Sequence, residues 1–447
     1  MSVSVRFAPS PTGHIHVGNV RMALFNWLYA RANGGTFLLR LDDTDAERST
    51  DAFAQGIRDD LNWLGLNFDD EKKQSDRTAR YEEVRADLVA RGLLYPCYET
   101  PEELSLKRKV AMQAGKPPVY DRAALNLSDD EKAALEADGR QAHWRFKLSG
   151  KTIEWEDMVQ GHKAVDLTSQ SDPVFIRADG TPTYMLPSVV DDIDYGITHV
   201  LRGEDHVTNA AVQIEMARAL GAEGPAWGHI SLLTGAKGEG LSKRLGSLAV
   251  RSFREDGLEP GSVTAFLGRL GTSDPVDPAI DLSALVESFD LDRLGRAPAK
   301  FSAEDLAQVN AKRLHTTDLT VVADRLGGMG VSTDVQSLFW ETVRDNITKV
   351  ADAAEWWNIV SQDIEPVIED ADYIAEAAAL LPEGPYDLET WAVFTGAVKE
   401  KTGRKGKQLF MPLRLALTGK PHGPDLKKLL VLIGPERAKA RLEGKIG

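Results

Sequence analysis

The segment Pro11-Thr12-Gly13-His14-Ile15-His16-Val17-Gly18 decides how the fold is interpreted, because it joins a short strand to a helix. Residues 2–8 alternate between apolar and polar side chains, which is the pattern of a strand. Residues 20–28 carry apolar side chains at helical spacing, and Asn33-Gly34-Gly35 ends that helix. A second strand pattern covers residues 36–41. The order strand, Gly/Pro loop, helix and strand is that of half a Rossmann-type nucleotide-binding fold.

The start of this helix is the first candidate site. His16 and Gly18 stand where free backbone N–H groups and the positive end of the helix dipole favour phosphate. Gly18 lets a base or a phosphate approach the backbone closely. The His16 imidazole can donate a hydrogen bond to an oxygen of the phosphate or of the nucleotide sugar. The alternative is that His16 is an ordinary loop histidine.

The second candidate motif is Leu241-Ser242-Lys243-Arg244, which follows glycines at positions 235, 238 and 240. The glycines predict a loop, and from a loop the Lys243 ammonium can reach phosphates as charge builds in a reaction. By itself such a triplet is also typical of an exposed surface loop. Together with the helix start, it predicts a split ATP site that supports attack on the α-phosphate.

Composition excludes several classes of protein. The 447 residues predict two to four domains, and a hydrophobic content of 42% is enough for buried cores. No apolar run approaches about 18 residues and no basic-then-apolar leader is visible, so we expect neither a membrane span nor a secretory signal. The single cysteine, Cys97, excludes a disulfide framework and a multi-cysteine zinc site, and we interpret it as a packing residue. These features favour a cytoplasmic protein.

Charge is distributed unevenly along the chain. The formal net charge is −15, which argues against general affinity for nucleic acid. Residues 399–447, however, contain thirteen Lys/Arg and four Asp/Glu, a net charge of +9, so the remaining residues carry −24. A basic segment on an acidic body is either a footprint for a phosphate backbone or a solvated helical face, and charge alone does not favour one of these.

The pattern between the two motifs indicates an insertion in the nucleotide fold. Helical patterns cover residues 51–66, 77–94 and 209–220, and capping sequences at Thr100–Glu103 and Ser128–Glu131 begin two further helices. Strand patterns at 144–147, 152–155 and 172–177 predict a small α+β insertion. The nucleotide fold resumes with 185–190 and 199–202, and 229–233 is predicted to be a buried strand. After residue 250 the signals are mainly helical.

Six blocks carry the strongest pattern in the sequence: Arg6–Trp27, Arg40–Asp45, Thr183-Tyr184, Val190–Asp192, Leu201–His206 and Leu241–Arg244. In residue type and order they resemble the glutamyl-tRNA synthetases, which are class I aminoacyl-tRNA synthetases, and the resemblance continues to the C-terminus. It implies an α/β Rossmann-type nucleotide-binding catalytic domain with an α+β insertion, followed by all-α stem-contact and anticodon-binding domains.

The resemblance also implies domain boundaries. We expect a split Rossmann catalytic domain at 1–75 and 183–240, an inserted acceptor-binding domain at 76–182, a catalytic-loop and stem-contact domain at 241–315, and a helical anticodon-binding domain at 316–447.

By the same resemblance, a glutamate pocket is lined by Arg6, Ser10, Asp42, Tyr184, Ser188 and Arg202. Two guanidinium groups suit the two carboxylates of the amino acid, with Arg202 on the side-chain carboxylate, and Asp42 suits the α-ammonium. Asp42 stands where relatives commonly have Glu, and Ser188 where many have Asn.

The resemblance further implies that ATP, with Mg²⁺, contacts His16, Gly18, Asn19, Glu204, Ser242, Lys243 and Arg244. His16 and Lys243 are the expected catalytic residues. Asn19 takes the place of a second signature histidine, and Gly240 takes the place of a lysine. Some relatives hold a zinc ion in the inserted region, but we expect no zinc here and no resident metal ligand, although Asp42, Asp43 and Asp45 are an alternative metal set.

For tRNA, the expected contacts are Arg404, Lys405, Lys407, Arg414 and Pro424. The implied reaction joins L-glutamate to tRNA-Glu through an adenylate, with tRNA required for activation, in a monomer with no membrane partner. Charging of tRNA-Gln, a tRNA-modifying paralogue that glutamylates a queuosine base, and a catalytically silent tRNA- or nucleotide-binding protein are the alternatives. A glutaminyl-tRNA synthetase and a small nucleotidyltransferase fit less well, because residues 316–447 have helical signals and a basic tail.

Overall fold

The computed structural model describes residues 2–241 and 248–447. The chain forms two compact units. The first unit is drawn from 1–255, 264–276 and 280–302, and the second from 256–263, 277–279 and 303–447.

The first unit begins with the predicted strand–helix–strand motif. Its elements are β1 (Ser4–Phe7), α1 (Val17–Ala32), β2 (Thr36–Leu41), α2 (Asp51–Trp63) and β3 (Asp70–Lys73). β1 pairs in parallel with β2, with Ser4 opposite Thr36, and β2 pairs in parallel with β3. The Rossmann-type arrangement predicted from the alternation and the Gly/Pro loop is therefore confirmed.

Helix α1 is buried on nearly every side, which a simple amphipathic pattern does not predict. Leu24 and Leu28 lie in the core, and so does the polar side chain of Arg21. The Arg21 guanidinium donates hydrogen bonds to the carbonyls of Ser231 (2.7 Å) and Leu270 (3.0 Å), so a buried charge connects α1 to two distant segments of the same unit.

The predicted insertion is also confirmed as α+β. It contains α3 (Thr78–Ala90), β4 (Leu94–Cys97), α4 (Pro101–Gln113), α5 (Asp129–Ala137), β5 (His143–Phe146), β6 (Thr152–Asp157), β7 (Gly161–Asp166) and β8 (Val174–Ile176). β4, β5 and β8 form an antiparallel sheet, and β6 and β7 form a hairpin. The caps at Thr100 and Ser128 form as their sequences predict.

The nucleotide fold resumes with α6 (Met185–Asp194), β9 (His199–Gly203), α7 (Val207–Ala219), β10 (Ala226–Ile230) and β11 (Leu233–Gly235). β9 pairs in parallel with β10 and lies beside β1, because the Thr198 amide donates to the Ser4 carbonyl (2.9 Å). The expected strand at 229–233 is wrong in its bounds, since β10 ends at Ile230 and β11 is a separate strand. Residues 227–230 of β10 are all buried, so both faces of the strand are covered and alternation could not locate it.

Past residue 247 the described chain continues with α8 (Val250–Glu255), α9 (Pro260–Arg269), α10 (Leu282–Glu287) and β12 (Ala299–Phe301), which pairs with β11. The helices that follow are α11 (Ala303–Thr316), α12 (Leu319–Gly328), α13 (Thr333–Val343), α14 (Ala353–Ser361), α15 (Ala371–Ala378), α16 (Thr390–Thr402), α17 (Lys407–Thr418) and α18 (Leu426–Leu442). Phe339, Trp340 and Phe394 lie in the core of the second unit. The predicted helical character of the last third is confirmed.

A search of the described helices finds none that is both long enough and apolar enough to span a bilayer.

Candidate functional site

A cavity of about 670 Å³ opens in the first unit beside β1, β2 and β9. Eight of the residues predicted for the glutamate and ATP sites line it: Arg6, His16, Gly18, Asn19, Asp42, Tyr184, Ser188 and Arg202. They come from segments up to 196 positions apart (Arg6 to Arg202), so the fold brings together what the blocks of sequence only suggest. Ser10 and Glu204 are not among the lining residues, and Glu204 instead accepts a hydrogen bond from the Leu232 amide (3.3 Å).

At the start of α1, His16 is the N-cap residue. Its Nδ1 accepts a hydrogen bond from the Gly18 amide (3.1 Å), and the Asn19 side-chain oxygen accepts one from the His16 amide (3.3 Å). Burial lowers the pKa of His16, so the ring is neutral at pH 7 and its remaining proton is on Nε2. His16 can therefore cap the helix and donate from Nε2 at the same time.

The structure explains the glycine at position 18 differently from the sequence, which suggested close approach of a base or a phosphate. A Cβ at Gly18 would lie 2.9 Å from Cε1 of the His16 ring. The space beside Gly18 is thus occupied by the imidazole of its own cap, and a side chain here would displace it.

Four charged side chains form a buried network on the wall of the cavity. Arg6 holds both oxygens of Asp192 (3.1 and 3.3 Å), and Arg40 holds both oxygens of Asp42 (2.7 and 3.1 Å). Arg40 also donates to Asp192 (2.8 Å). Burial alone would raise the pKa of Asp192. The positive charges of Arg6 and Arg40 have the larger effect and hold that pKa below its usual value. Arg6 and Asp42 are therefore fixed in place before any ligand arrives.

Two other predicted pocket residues complete this wall. Ser188 lies on α6, and its hydroxyl accepts a hydrogen bond from Arg40 (3.3 Å). The ring of Tyr184 is 45% exposed and faces the cavity. Ser188 thus lines the cavity itself and also helps to hold Arg40, which lines the cavity beside it.

Arg202, at the end of β9, differs from the other two arginines. Its Nε donates to Nε2 of His229 (3.2 Å), Nη1 to the Gln213 side chain (2.6 Å) and Nη2 to the His206 carbonyl (3.1 Å). All three acceptors are uncharged, and no carboxylate of residues 2–241 or 248–447 lies within 4.0 Å of its nitrogens. Burial lowers the pKa of Arg202 to about 9, so the group still carries its charge at pH 7.

Sequence reasoning missed the partners that hold these arginines. Arg40 stands in one of the recognised blocks, but the sequence alone predicts no role for it, and Gln213, His229 and Asp157 belong to no recognised motif. Asp157 and His229 are 72 positions apart, and only the fold brings them together. A buried histidine in an otherwise apolar strand was the available signal.

Three predicted ATP contacts, Ser242, Lys243 and Arg244, lie outside the described residues. The chain on both sides of them approaches the cavity, because Gly240 and Leu241 line it and Ala249 forms a bridge with His16.

The second unit contains the residues predicted to contact tRNA. Lys405 and Lys407 are exposed, and neither has a carboxylate within 4.0 Å among the residues that the structure describes. Arg404 pairs with Asp370 (2.7 Å) and lies over the ring of Tyr373.

The remaining two predicted tRNA residues are connected to each other. The Arg414 guanidinium donates to the carbonyl of Pro424 (2.8 Å), and Pro424 is buried. This contact holds the turn between α17 and α18.

Cys97, Glu99 and His143 place one potential metal ligand each within 4.8 Å of one another in the insertion. Burial raises the pKa of the Cys97 thiol to about 11, which favours the neutral thiol over the thiolate that zinc requires. The Tyr120 hydroxyl already donates to Glu99 (2.8 Å) and lies 3.6 Å from the Cys97 sulfur. These residues fit a packed hydrogen-bonded cluster better than a zinc site.

Two family models match the chain. Residues 2–308 match tRNA synthetases class I (E and Q), catalytic domain, and residues 341–446 match an anticodon binding domain.

Similar proteins agree with this match. A protein named Glutamate--tRNA ligase 1 from Maricaulis maris is 54% identical over 442 residues, which cover 99% of each chain. A Glutamate--tRNA ligase from Azospirillum brasilense is 53% identical over 446 residues, with both chains fully covered. The crystal structure of a glutamate tRNA ligase from Elizabethkingia meningosepticum in complex with its amino acid matches with a TM-score of 0.88 and 27% identity, over 99% of this chain and 98% of that one. The chain therefore belongs to the glutamate–tRNA ligase family of class I tRNA synthetases.

Proposed function

We propose that this chain attaches L-glutamate to the 3′ end of tRNA-Glu in an ATP-dependent reaction that passes through glutamyl-adenylate. The observation that carries the proposal is the position of Arg202, which faces the cavity with a positive charge and has only neutral hydrogen-bond partners among the described residues. A charge held in this way is costly until a counter-ion arrives. The side-chain carboxylate of glutamate supplies that counter-ion.

The charge of the whole pocket supports the same ligand. Among the described residues that line the cavity, the guanidinium groups of Arg6, Arg40 and Arg202 outnumber the carboxylates of Asp42 and Asp205 by one, which leaves one positive charge on the cavity wall. Glutamate, with two carboxylates and one ammonium, carries one negative charge. We assign its ammonium to Asp42, its side chain to Arg202, and its α-carboxylate to the end of the pocket toward Arg6 and α1.

The reaction follows from this placement. ATP enters with Mg²⁺ as a substrate, and an oxygen of the α-carboxylate attacks the α-phosphorus in line while pyrophosphate leaves. Nε2–H of His16, the free N–H groups at the start of α1 and the Lys243 ammonium stabilise the charge that spreads over the phosphates. A terminal ribose hydroxyl of the tRNA then attacks the carbonyl carbon of the adenylate, and AMP leaves. No covalent enzyme intermediate is required.

Recognition of tRNA is assigned to the rest of the chain. We assign acceptor binding to 76–182, stem contact to 241–315 and anticodon binding to 316–447. Lys405 and Lys407 contact phosphates, while Arg414 supports the turn at Pro424. We further propose that tRNA binds before glutamate is activated, and that the enzyme works as a monomer in the cytoplasm, where its tRNA is used.

Aminoacylation with labelled amino acid tests the proposal directly. Labelled glutamate should be transferred to tRNA-Glu only when ATP and Mg²⁺ are present, and labelled glutamine should not be transferred. A parallel reaction with tRNA-Gln decides whether the enzyme also charges that tRNA. Absence of transfer to both tRNAs would contradict the proposal and favour the silent binding protein or the tRNA-modifying paralogue.

A further inference from the structure

A buried pair, Asp157 and His229, lies directly behind Arg202. The Asp157 carboxylate contacts Nδ1 of His229 (2.5 Å), and Nε2 of the same ring contacts Nε of Arg202 (3.2 Å). The Asp157 and His229 side chains are fully buried, and Arg202 alone of the three lines the cavity. The three side chains therefore form a line from the protein interior to the proposed glutamate pocket.

The chemistry of the line fixes one tautomer of His229. A guanidinium has only donors, so Nε2 must carry a lone pair to accept from Arg202. The ring proton is then on Nδ1, where the Asp157 carboxylate accepts it. Burial lowers the pKa of His229 and the neighbouring Arg202 charge lowers it further, while Asp157 opposes this effect, and the result keeps the ring neutral.

Asp157 is itself held rigidly. Its Oδ1 accepts hydrogen bonds from the backbone amides of Val159 (3.1 Å), Gln160 (2.9 Å) and His229 (3.0 Å). Burial alone would raise the pKa of Asp157, but the hydrogen bonds from the His229 ring and from the His229 and Gln160 amides bring it to about 2. The carboxylate is thus ionised and cannot rotate without breaking several bonds.

Two further contacts hold the Arg202 guanidinium from other directions. It lies over the Trp227 ring at 4.4 Å, and the Gln213 oxygen accepts from its Nη1 (2.6 Å). Gln213 and Trp227 are both buried. Every hydrogen-bond and ring partner of Arg202 in the described part of the chain is therefore neutral, and Asp192 and Asp205 act on its charge from beyond 4.0 Å. The negative charge of Asp157 is separated from Arg202 by the width of an imidazole.

We propose that Asp157 and His229 are positioning residues that hold the Arg202 guanidinium in the orientation that receives the side-chain carboxylate of the amino acid. Asp157 sets the tautomer, and the Nε2 lone pair of His229 fixes Nε of Arg202. Because the acceptor is a neutral imidazole, the charge of Arg202 is left for the substrate, which favours a carboxylate over an amide. This inference rests on the proposed function.

The chain segment that carries Asp157 adds a structural consequence. Asp157 ends β6 of the insertion, where the Met158 amide donates to the Trp227 carbonyl (2.8 Å) and the Gln160 side chain donates to the His229 carbonyl (3.2 Å). The insertion is thus fastened to β10 at the residue that positions Arg202, and the pocket depends on a segment outside the nucleotide fold.

Three variants test separately the two hydrogen bonds of the His229 ring, the one from Nδ1 to Asp157 and the one that Nε2 accepts from Arg202. In His229→Asn, the amide can still donate to Asp157 but cannot reach Arg202, and in His229→Gln, the side-chain oxygen lies near the place of Nε2 and can accept from Arg202. In Asp157→Asn, the new amide donates to Nδ1 and forces the proton onto Nε2, so that donor faces donor.

Steady-state aminoacylation should then give a graded result. We expect KM for glutamate to rise roughly 10- to 100-fold in His229→Asn and Asp157→Asn, and only a few-fold in His229→Gln, while KM for ATP stays near that of the wild type. If the two residues had only a structural role, all three variants would show a higher KM for both glutamate and ATP, or the same decrease in kcat. Arg202→Ala is the reference variant.

The outcomes separate this inference from the proposed function. If Arg202→Ala raises KM for glutamate but His229→Asn and Asp157→Asn leave it within about twofold of the wild type, the positioning role is wrong while the pocket assignment stands. If Arg202→Ala has no effect, Arg202 does not bind the carboxylate and both are wrong.

A spectroscopic measurement on the wild-type protein keeps the test valid if His229→Asn or Asp157→Asn fails to fold. The ¹⁵N shifts of the histidine rings in the wild-type protein report which nitrogen carries the proton, and the His229 signals are identified as those missing from His229→Gln. We expect a protonated Nδ1 and an unprotonated Nε2 at pH 7. The opposite tautomer, or a doubly protonated ring, would overturn the inference.

Discussion

The Arg40 guanidinium holds the Asp42 carboxylate at both oxygens, with Nε 2.7 Å from Oδ1 and Nη2 3.1 Å from Oδ2. Asp42 is one methylene shorter than the Glu that the family resemblance leads one to expect. The two hydrogen bonds fix the short side chain on the cavity wall, and the link from Arg40 to Asp192 joins it to Arg6. Of the three pocket arginines, Arg202 alone has no carboxylate within 4.0 Å among the described residues, and this contrast makes it the guanidinium that is available to a ligand carboxylate.

Arg202 should contribute to glutamate binding but not to folding stability. Replacing it by methionine removes a buried charge that has no carboxylate within 4.0 Å among the described residues, but it also leaves the His229, Gln213 and His206 acceptors without their donor. These two effects oppose each other, so thermal stability should change little. Glutamate binding should weaken by roughly two orders of magnitude or more, since the ligand carboxylate then has no cationic partner at this position. Glutamate should therefore raise the melting temperature of the wild type but not of Arg202→Met.

Arg202→Lys is the matched control for charge. Lysine keeps the positive charge but does not have the planar fork, so its affinity for glutamate should fall between the wild type and Arg202→Met. A melting-temperature increase by glutamate in Arg202→Met equal to that of the wild type would contradict the pocket assignment.

His16 has two roles that substitution can separate. His16→Ala removes the cap on the Gly18 amide, at a cost of about 1 kcal/mol in stability, and also removes the Nε2–H donor. The loss of one transition-state donor should lower turnover by roughly two to three orders of magnitude. Single-turnover kinetics and chemical denaturation measure the two effects independently.

His16→Asn is the variant that distinguishes them. Asparagine is a good N-cap and can accept from the same amide, so stability should return toward that of the wild type while turnover stays low. If turnover returned together with stability, His16 would be a helix cap and nothing more.

Lys405 and Lys407 should bind tRNA through charge. The double variant Lys405→Glu, Lys407→Glu should weaken tRNA binding. It should also reduce the slope of log Kd against log salt concentration by about 0.7 for each single-strand phosphate that is no longer neutralised. KM for glutamate at saturating tRNA should not change. Filter binding at several salt concentrations gives the slope.

The control is Lys405→Arg, Lys407→Arg, which keeps both charges and should bind tRNA with the wild-type slope. An unchanged slope in the double Glu variant would mean that these side chains do not contact phosphate.

Asp60, on the buried face of α2, should make stability depend on pH. Neither of its oxygens has a hydrogen-bond partner among the described residues, and Arg254 approaches only to 3.6 Å. Burial raises the pKa of Asp60 from 3.8 to about 6. The native state therefore holds this proton more tightly than the unfolded chain, and the contribution of Asp60 to stability is lost as pH rises from about 4 through about 6.

Asp60→Asn cannot titrate and should not show this pH dependence. Relative to the wild type, the free energy of unfolding of the variant should increase by roughly 2 kcal/mol between pH 4 and pH 7. Hydrogen exchange of peptides from α2, measured at both pH values, reports the difference. A constant difference between variant and wild type across this range would show that the pKa of Asp60 is not raised.

The sequence predicts the fold where local patterns are strong. The predicted bounds of β2 are the observed ones, because Thr36–Leu41 is mainly apolar and follows two glycines. β3 was not predicted, because its residues are Asp70, Glu71, Lys72 and Lys73, and a strand of four charged side chains at a sheet edge has no apolar alternation.

The site was predicted in part for the same reason. Arg6, His16, Asp42 and Arg202 stand in recognisable blocks, and all four line the cavity. The partners of the two arginines do not follow from a local pattern. Arg6 contacts Asp192, 186 positions away, and Arg202 contacts His229, 27 positions away. Such long-range pairings are decided by how β9 and β10 lie against α6 and the insertion, which only the folded chain determines.

ATP–pyrophosphate exchange with glutamate, measured with and without tRNA-Glu, reports whether glutamyl-adenylate forms in this cavity and whether tRNA is needed for it to form. We predict glutamate-dependent exchange when tRNA-Glu is present and none when it is absent. Exchange without tRNA would contradict the proposed order of binding. Absence of exchange under both conditions, together with absence of tRNA charging, would contradict the assignment of this cavity as the site of glutamyl-adenylate formation.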